Sequence, residues 1–314
     1  MQRVDQPQRQ RQAKRGNRRP RPVLPAAAGT LVAALRRLGV AEGDAVMVHA
    51  SLRRLGPVVG GARGLIEALI EAVGDPGHIV MPAYSRDALM PELPNGLSTE
   101  DYAHYEEAVP GFDPTFSSCF HLGALAETFR CWPGVVRSRH PIHSMTALGP
   151  SARRIVAHHA RDWAFGLDGP MGRLAERGSA KVLLIGVGWE HCSALHTAET
   201  IARYRRLRVL RYKDTTREAP RWVHARDVAE DRENLFPDIG RVLDGHPAMR
   251  QGPVGGTEGR LMPLDDILTT AAPLIARAID SGGANPSGDI SSDRERPQRP
   301  PRAPSPAPRR RARR

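Results

Sequence analysis

One stretch limits the possible architectures more than any other: Lys181 to Glu199, KVLLIGVGWEHCSALHTAE. Val182, Leu183, Leu184 and Ile185 form a continuous apolar run, the pattern of a strand buried on both faces. Gly186 and Gly188 break that run, and the residues beyond them follow helical periodicity. The spacing predicts a strand, a turn and a helix, hence an α/β fold. Open α/β sheets collect their ligands beyond the carboxyl ends of the strands. Here that position holds Glu190, His191, Cys192, Ser193, His196 and Glu199.

The rest of the body supplies the partners such a strand needs. Ala26 to Leu38 reads as a helix with Leu31, Leu35 and Leu38 on one face, ended by Gly39. Ala45 to His49 and His78 to Pro82 read as short buried strands. Between them, Gly56, Gly60, Gly61 and Gly64 lead into a helix over Ala62 to Val73. Glycines between a strand and a helix N-terminus let the backbone approach an anion, and equally satisfy a tight turn. Ala83 to Pro110 is expected as a long surface loop, Gly123 to Arg130 as a short helix, and Arg137 to Gly149 as a polar segment running into a small strand. Arg221 to Asp238 mixes Trp222 and Val223 with Asp227, Glu230, Asp231 and Glu233; Leu264 to Ile279 has the pattern of a last amphipathic helix.

The net charge of +12 would suggest a nucleic-acid partner if it were spread over the fold. It is not. Residues 1–22 hold eight Lys or Arg and one Asp, residues 281–314 nine Arg and three acids, and the middle 29 basic and 30 acidic residues. Arg-, Pro-, Gln- and Ser-rich ends cannot bury enough surface to offset ordering entropy. The expected organisation is one folded body over 25–280 between basic disordered tails at 1–24 and 281–314. The first 24 residues lack a signal-peptide apolar core, and no membrane-length window is free of charge. Cys119, Cys131 and Cys192 form neither a paired metal motif nor a disulfide framework. A reduced, cytoplasmic setting without a bound metal is expected.

Two chemistries stay open at the central stretch. Cys192 stands beside two histidines as a thiol nucleophile or as a small buried hydrophobe. His196 and Glu199, three residues apart, share one helix face. They suit a general base oriented by a carboxylate, and equally a surface ion pair.

The blocks VHASLRRLGPVVGGARGLIEAL, VMPAYS, FDP, GALAETFR, RSRHPIHSMTALGP, GRL, VLLIGVGWEHCSALHTAE and FPDIG occur in the order and approximate spacing of the aminoglycoside 3-N-acetyltransferase family, which the chain resembles over about residues 25–280. The resemblance implies a central mixed sheet covered by helices. It also implies acetyl transfer from acetyl-CoA to the 3-amino group of a deoxystreptamine ring, conferring resistance. His196 matches the catalytic histidine of the LHxAE block, with Glu230, or else Asp231, as its carboxylate partner. Ser51, Leu52, Arg53, Gly60, Gly61 and Ala62 correspond to the coenzyme-lining blocks, with His143 and Ser144 added. Because aminoglycosides are polycations, Asp113, Asp168, Glu199 and Asp231 are the expected substrate-facing acids. An N-acetyltransferase acting on another amine of natural-product metabolism is the alternative, and nucleic-acid binding through the tails ranks last.

Overall fold

The β5 strand, Ala180–Ile185, occupies the middle of the molecule because nearly every one of its side chains is apolar and buried. In chain order the computed structural model holds α1 (Ala28–Leu38), β1 (Ala45–Ala50), α2 (Leu52–Leu55), α3 (Ala62–Val73), β2 (His78–Pro82), α4 (Thr99–Ala108), α5 (Ala124–Arg130), β3 (Val136–Arg137), β4 (Met145–Leu148), α6 (Ala152–Val156) and α7 (Pro170–Ala175) before β5. After it come α8 (Ser193–Ile201), β6 (Leu207–Asp214), β7 (Arg221–Val228), α9 (Leu235–Asp244), β8 (Arg250–Val254), β9 (Thr257–Pro263) and α10 (Leu264–Ala278). The structure describes residues 24–91, 93–202, 207–215, 220–228 and 235–278. The two expected tails lie outside these residues, Leu24 apart.

Seven strands form one sheet in the order β3-β4-β2-β1-β5-β9-β8. β1 runs parallel to β2 and β5, with Met47 opposite Val80 on one side and Val182 on the other. All other pairs are antiparallel, so the expected mixed sheet is present. Side chains alternate across it. Val46, Val48, Ile79, Leu183 and Ile185 face a layer built from α1, α3 and α5, whereas Met47, Val80, Val182 and Leu184 face α6 to α10. Fully burying a Leu or Ile stabilises by about 1.5–3 kcal/mol, so the two layers together account for the uninterrupted apolar run of β5.

Three segments depart from the expectation. The supposed loop 83–110 contains α4, which starts on a capping box: the Ser98 hydroxyl accepts from the Asp101 N–H, and the Asp101 carboxylate accepts from the Ser98 N–H. That helix buries no residue, so no apolar stripe announced it. β6 and β7 form a separate hairpin over a small cluster of Ala88, Phe112, Ile142, Tyr212, Val223 and Ala225. β8 and β9 extend the main sheet beyond β5, through a segment with no regular alternation in its sequence.

Candidate active site

β5 ends at Gly186, whose φ of 62° is left-handed; a Cβ there would stand 2.9 Å from the Arg54 Cβ. This bend admits α2 beside the strand end and sends the chain through a short 3-10 turn, Trp189–His191, into α8. The buried Trp189 donates its indole N–H to the Asp244 carboxylate at 2.9 Å, tying that turn to α9. His191 falls on the turn and not on the helix, and it is exposed. Cys192 is buried, and burial pushes its thiol up to about 12, which leaves no thiolate for nucleophilic attack.

His196 sits one turn into α8. Its Nδ1 lies 2.7 Å from Glu199 Oε2, with 30% of the histidine side chain exposed and 9% of the glutamate. A carboxylate only accepts, so Nδ1 carries the hydrogen and Nε2 presents its lone pair. Phe165 and Phe236 flank the imidazole, each with its ring centre 4.9 Å away. One face is thus fixed by packing and one edge by a charge-assisted bond. The arrangement can accept a proton from a bound nucleophile.

A second histidine–carboxylate pair shares Phe165. The His143 ring is 4.9 Å from Phe165 and 5.3 Å from Tyr84, and its Nε2 lies 3.2 Å from Asp227 Oδ2 and 3.4 Å from an Arg208 nitrogen. The approach to Asp227 is an ion-pair contact without hydrogen-bond alignment, since Asp227 Oδ2 and His143 Nδ1 both make no aligned bond. Burial lowers the His143 imidazole despite the neighbouring carboxylate. Burial works against the Asp227 charge, yet His143 and the Val228 N–H keep its carboxyl below the usual range.

Behind both pairs, the Tyr84 hydroxyl and Ser193 Oγ are 2.5 Å apart, and the Ser193 N–H donates to His49 Nε2 at 3.4 Å. Burial raises the Tyr84 phenol, against the smaller effect of its bond to Ser193. His49 is driven down to about 3 by burial and then by the nearby His191 and His196. It therefore stays neutral and accepts, which anchors the first residue of α8.

The residues expected to line a coenzyme divide into two groups. Ser51, Leu52 and Arg53 leave the end of β1, where the Ser51 N–H donates to the Ile185 carbonyl and its hydroxyl accepts from the Arg54 N–H. Gly60 and Gly61, at φ 78° and 58°, turn the chain into α3, whose first residue is Ala62. Both stretches lie at the carboxyl edge of the parallel strands with α8. His143 instead belongs to the aromatic cage. Ser144 is fully buried and its hydroxyl is occupied, donating to the Ala83 carbonyl at 2.6 Å and accepting from Arg137 Nε at 2.9 Å. In this arrangement its side chain braces the loop.

The expected acids also separate. Glu199 is central and nearly buried. Asp113 Oδ1 accepts from the N–H groups of Thr115 and Phe116, and these bonds hold its carboxyl low while closing a turn. Asp168 is exposed and pairs with His158 at 3.1 Å. Glu230 and Asp231 lie outside the described residues. What the sequence reading passed over is aromatic: Tyr84, Phe165 and Phe236, together with His49 and Asp227. Tyr84 and Phe236 stood within the quoted VMPAYS and FPDIG blocks, but Phe236 has no titratable group and a single tyrosine after an apolar strand carries no spacing that marks a site. Among the described residues, no three His, Cys, Asp or Glu gather to hold a metal ion, and no helix is long and apolar enough to cross a membrane.

A mixed α/β sheet carrying an oriented imidazole at its carboxyl edge defines an enzyme class able to deprotonate a nucleophile. Comparison with known proteins narrows the class. The family profile described as aminoglycoside 3-N-acetyltransferase matches residues 47–276. The chain is 33% identical over 252 residues to aminoglycoside N(3)-acetyltransferase III of Pseudomonas aeruginosa, covering 79% of this chain and 90% of the relative. The structure of AAC-VIa bound to sisomicin superposes with a TM-score of 0.72 at 33% identity, covering 81% of this chain and 99% of that one. The binary complex of AAC-IIIb with CoASH gives 0.71 at 29% identity, covering 81% and 97%. The chain belongs to the aminoglycoside 3-N-acetyltransferase family.

Proposed function

We propose that this enzyme transfers the acetyl group of acetyl-CoA to the 3-amino group of the deoxystreptamine ring of an aminoglycoside, in the cytoplasm, and so confers resistance. The observation that carries the mechanism is the 2.7 Å bond between His196 Nδ1 and Glu199, which directs Nε2 outward as a base. The amine nitrogen attacks the thioester carbonyl carbon, the C–S bond breaks, and the departing sulfur takes up the proton that His196 has received from the nitrogen, so that the coenzyme leaves as its thiol. His196 Nε2 takes the proton that the attacking nitrogen releases, and Glu199 stabilises the imidazolium that forms. Glu199 thereby has the orienting role that the sequence comparison gave to Glu230. Glu230, three residues beyond Asp227 in the sequence, is assigned with Asp231 to the acidic surroundings of the cationic substrate, alongside Asp168.

The Gly60–Gly61 turn at the start of α3, with Arg53 in the preceding α2, supports the coenzyme assignment: peptide N–H groups at a helix N-terminus and a guanidinium suit its phosphates. The complexes of AAC-IIIb with CoASH and of AAC-VIa with sisomicin support the same two ligand classes. The test is thiol release from acetyl-CoA against a panel of deoxystreptamine drugs, with the acetylated nitrogen located by NMR. Aminoglycoside-dependent release with acetylation at N3 is expected. Release only with unrelated amines would move the enzyme to the natural-product alternative.

A further inference from the structure

Phe165, which lies against His196, is carried by a loop, 157–168, whose backbone is under strain. Trp163 adopts φ 60°, the one left-handed non-glycine residue among those described, and bulky side chains resist that region. Such a conformation persists only if its surroundings enforce it. The carbonyl that follows the strained residue, that of Ala164, is gripped by His159 Nε2 at 2.7 Å. On the other edge of the same ring, Ser138 Oγ lies 2.8 Å from Nδ1.

The direction of each bond is determined. A carbonyl accepts, so His159 Nε2 carries the hydrogen and Nδ1 is an acceptor. Ser138 Oγ accepts the Met145 N–H at 2.9 Å and turns its own hydrogen to Nδ1. A one-way chain thus runs from the backbone of β4 through Ser138 and His159 to the residue before Phe165. His140 packs against His159, tilted at 42° with ring centres 4.8 Å apart, and donates from Nε2 to the Arg161 carbonyl. Its Nδ1 accepts from the N–H groups of Ile142 and His143. Two neutral histidines therefore clamp the loop onto the HPIHS segment.

The consequence reaches the base. Phe165 is 3% exposed and lies at 32° to the His196 ring, close to a stack. Glu199 holds one edge of that imidazole and Phe165 one face. We propose that His159 is a positioning residue of the acetyl-transfer site: it fixes Phe165, through Ala164, so that the His196 ring is held in the plane the reaction uses. The proposal rests on the assignment of His196 as base. None of the bonds holding the loop involves Ser51, Arg53, Gly60 or Gly61, so coenzyme affinity is outside its reach.

A double-mutant cycle on the full-length enzyme tests it. His159→Ala is expected to lower kcat about tenfold or more with the KM for acetyl-CoA within about twofold of wild type. His159→Gln, whose amide still donates to Ala164, recovers most of the loss. Phe165→Leu lowers kcat by a similar factor, and adding His159→Ala to it costs no more than about twofold further. Multiplying losses, or an unchanged kcat in folded His159→Ala, overturn the proposal. If His159→Ala does not fold, Ser138→Ala removes the hydroxyl that donates to His159 Nδ1, loosening the same ring, and is read in the same cycle. His196→Ala separates the two ideas: activity surviving there refutes the base assignment, whereas its loss together with multiplying His159 and Phe165 effects refutes the positioning role alone.

Discussion

Two imidazoles share one phenylalanine, and each faces a carboxylate, yet they are built for different work. His196 and Glu199 are three residues apart on one helix, aligned at 2.7 Å, with the histidine 30% exposed. His143 and Asp227 come from a loop and a distant strand, approach to 3.2 Å, and expose only 11% and 3% of their side chains. Coulombic attraction is available to both pairs. What differs is water and access. A base must meet a substrate and then hold a proton, which the half-open pair permits, whereas burial of the other keeps its imidazole reluctant to charge. With His196 as the proposed base, the inner pair is assigned a supporting place behind it, the two rings being joined through Phe165.

The comparison breaks most visibly at His196. His196→Ala should lower kcat on the order of 10³-fold, the usual scale for loss of a positioned general base, with the KM for acetyl-CoA little changed. Steady-state kinetics check this, and His143→Ala should lower kcat less. If the His143 variant were the more damaged while remaining folded, the roles assigned to the two pairs would be reversed.

Acid probes the buried half. Burial drives His49 down to about 3 and His159 to about 4, from an ordinary value of 6.5, so the native protein stays neutral where the unfolded chain takes up protons. Unfolding then binds protons below pH 6.5, and each such group removes stability as pH falls, by about 1.4 kcal/mol per pH unit, until its native value is reached. Above pH 6.5 these groups contribute no slope. The expected urea midpoint is flat from pH 7 to 8 and declines steadily from 6.5 to 4. His159→Gln should flatten that decline. A midpoint indifferent to pH between 6.5 and 4 would show that these rings are not held neutral.

Glu199→Gln separates orientation from charge within the outer pair. The amide can still accept from Nδ1, so the ring stays in place while the imidazolium loses its counter-charge. A 10- to 100-fold fall in kcat is expected by steady-state kinetics, with the KM for acetyl-CoA little changed. If kcat fell as far as in His196→Ala, Glu199 would have to serve the reaction in more than this electrostatic way.

Physical reasons decide which of these features the sequence discloses. The continuous apolar run at Val182–Ile185 predicts a strand covered on both faces because few other structures bury every side chain, and β5 is that strand. The helix period puts His196 and Glu199 on one face without any tertiary information. By contrast, α4 buries no residue and leaves no apolar stripe, and the alternation of β7 is blurred in the sequence because one of its inward positions is the charged Asp227. The Phe165 contact joins α8 to a loop some thirty residues earlier, and His159 reaches Phe165 only through a backbone carbonyl. No local pattern encodes a contact of that kind. Nor does the sequence disclose that the hydroxyl of Ser144 is tied up between Ala83 and Arg137.

A third pair extends the series. His158 and Asp168 stand 3.1 Å apart with 56% and 75% of their side chains exposed. Exposed ion pairs of this kind contribute little, because water screens the charges and two mobile side chains must be held together. Asp168→Asn should therefore leave Tm within about 2 °C of wild type by calorimetry. If Asp168 also faces the cationic substrate, the same variant should raise the aminoglycoside KM several-fold while kcat stays constant, and added salt should diminish the difference. A variant with unchanged KM would leave the outermost pair as ordinary solvated surface and place the substrate's ammonium groups against Glu230 and Asp231 instead. Exposure, increasing from Asp227 through Glu199 to Asp168, would then separate scaffold, catalysis and recognition only if that salt-sensitive KM is found.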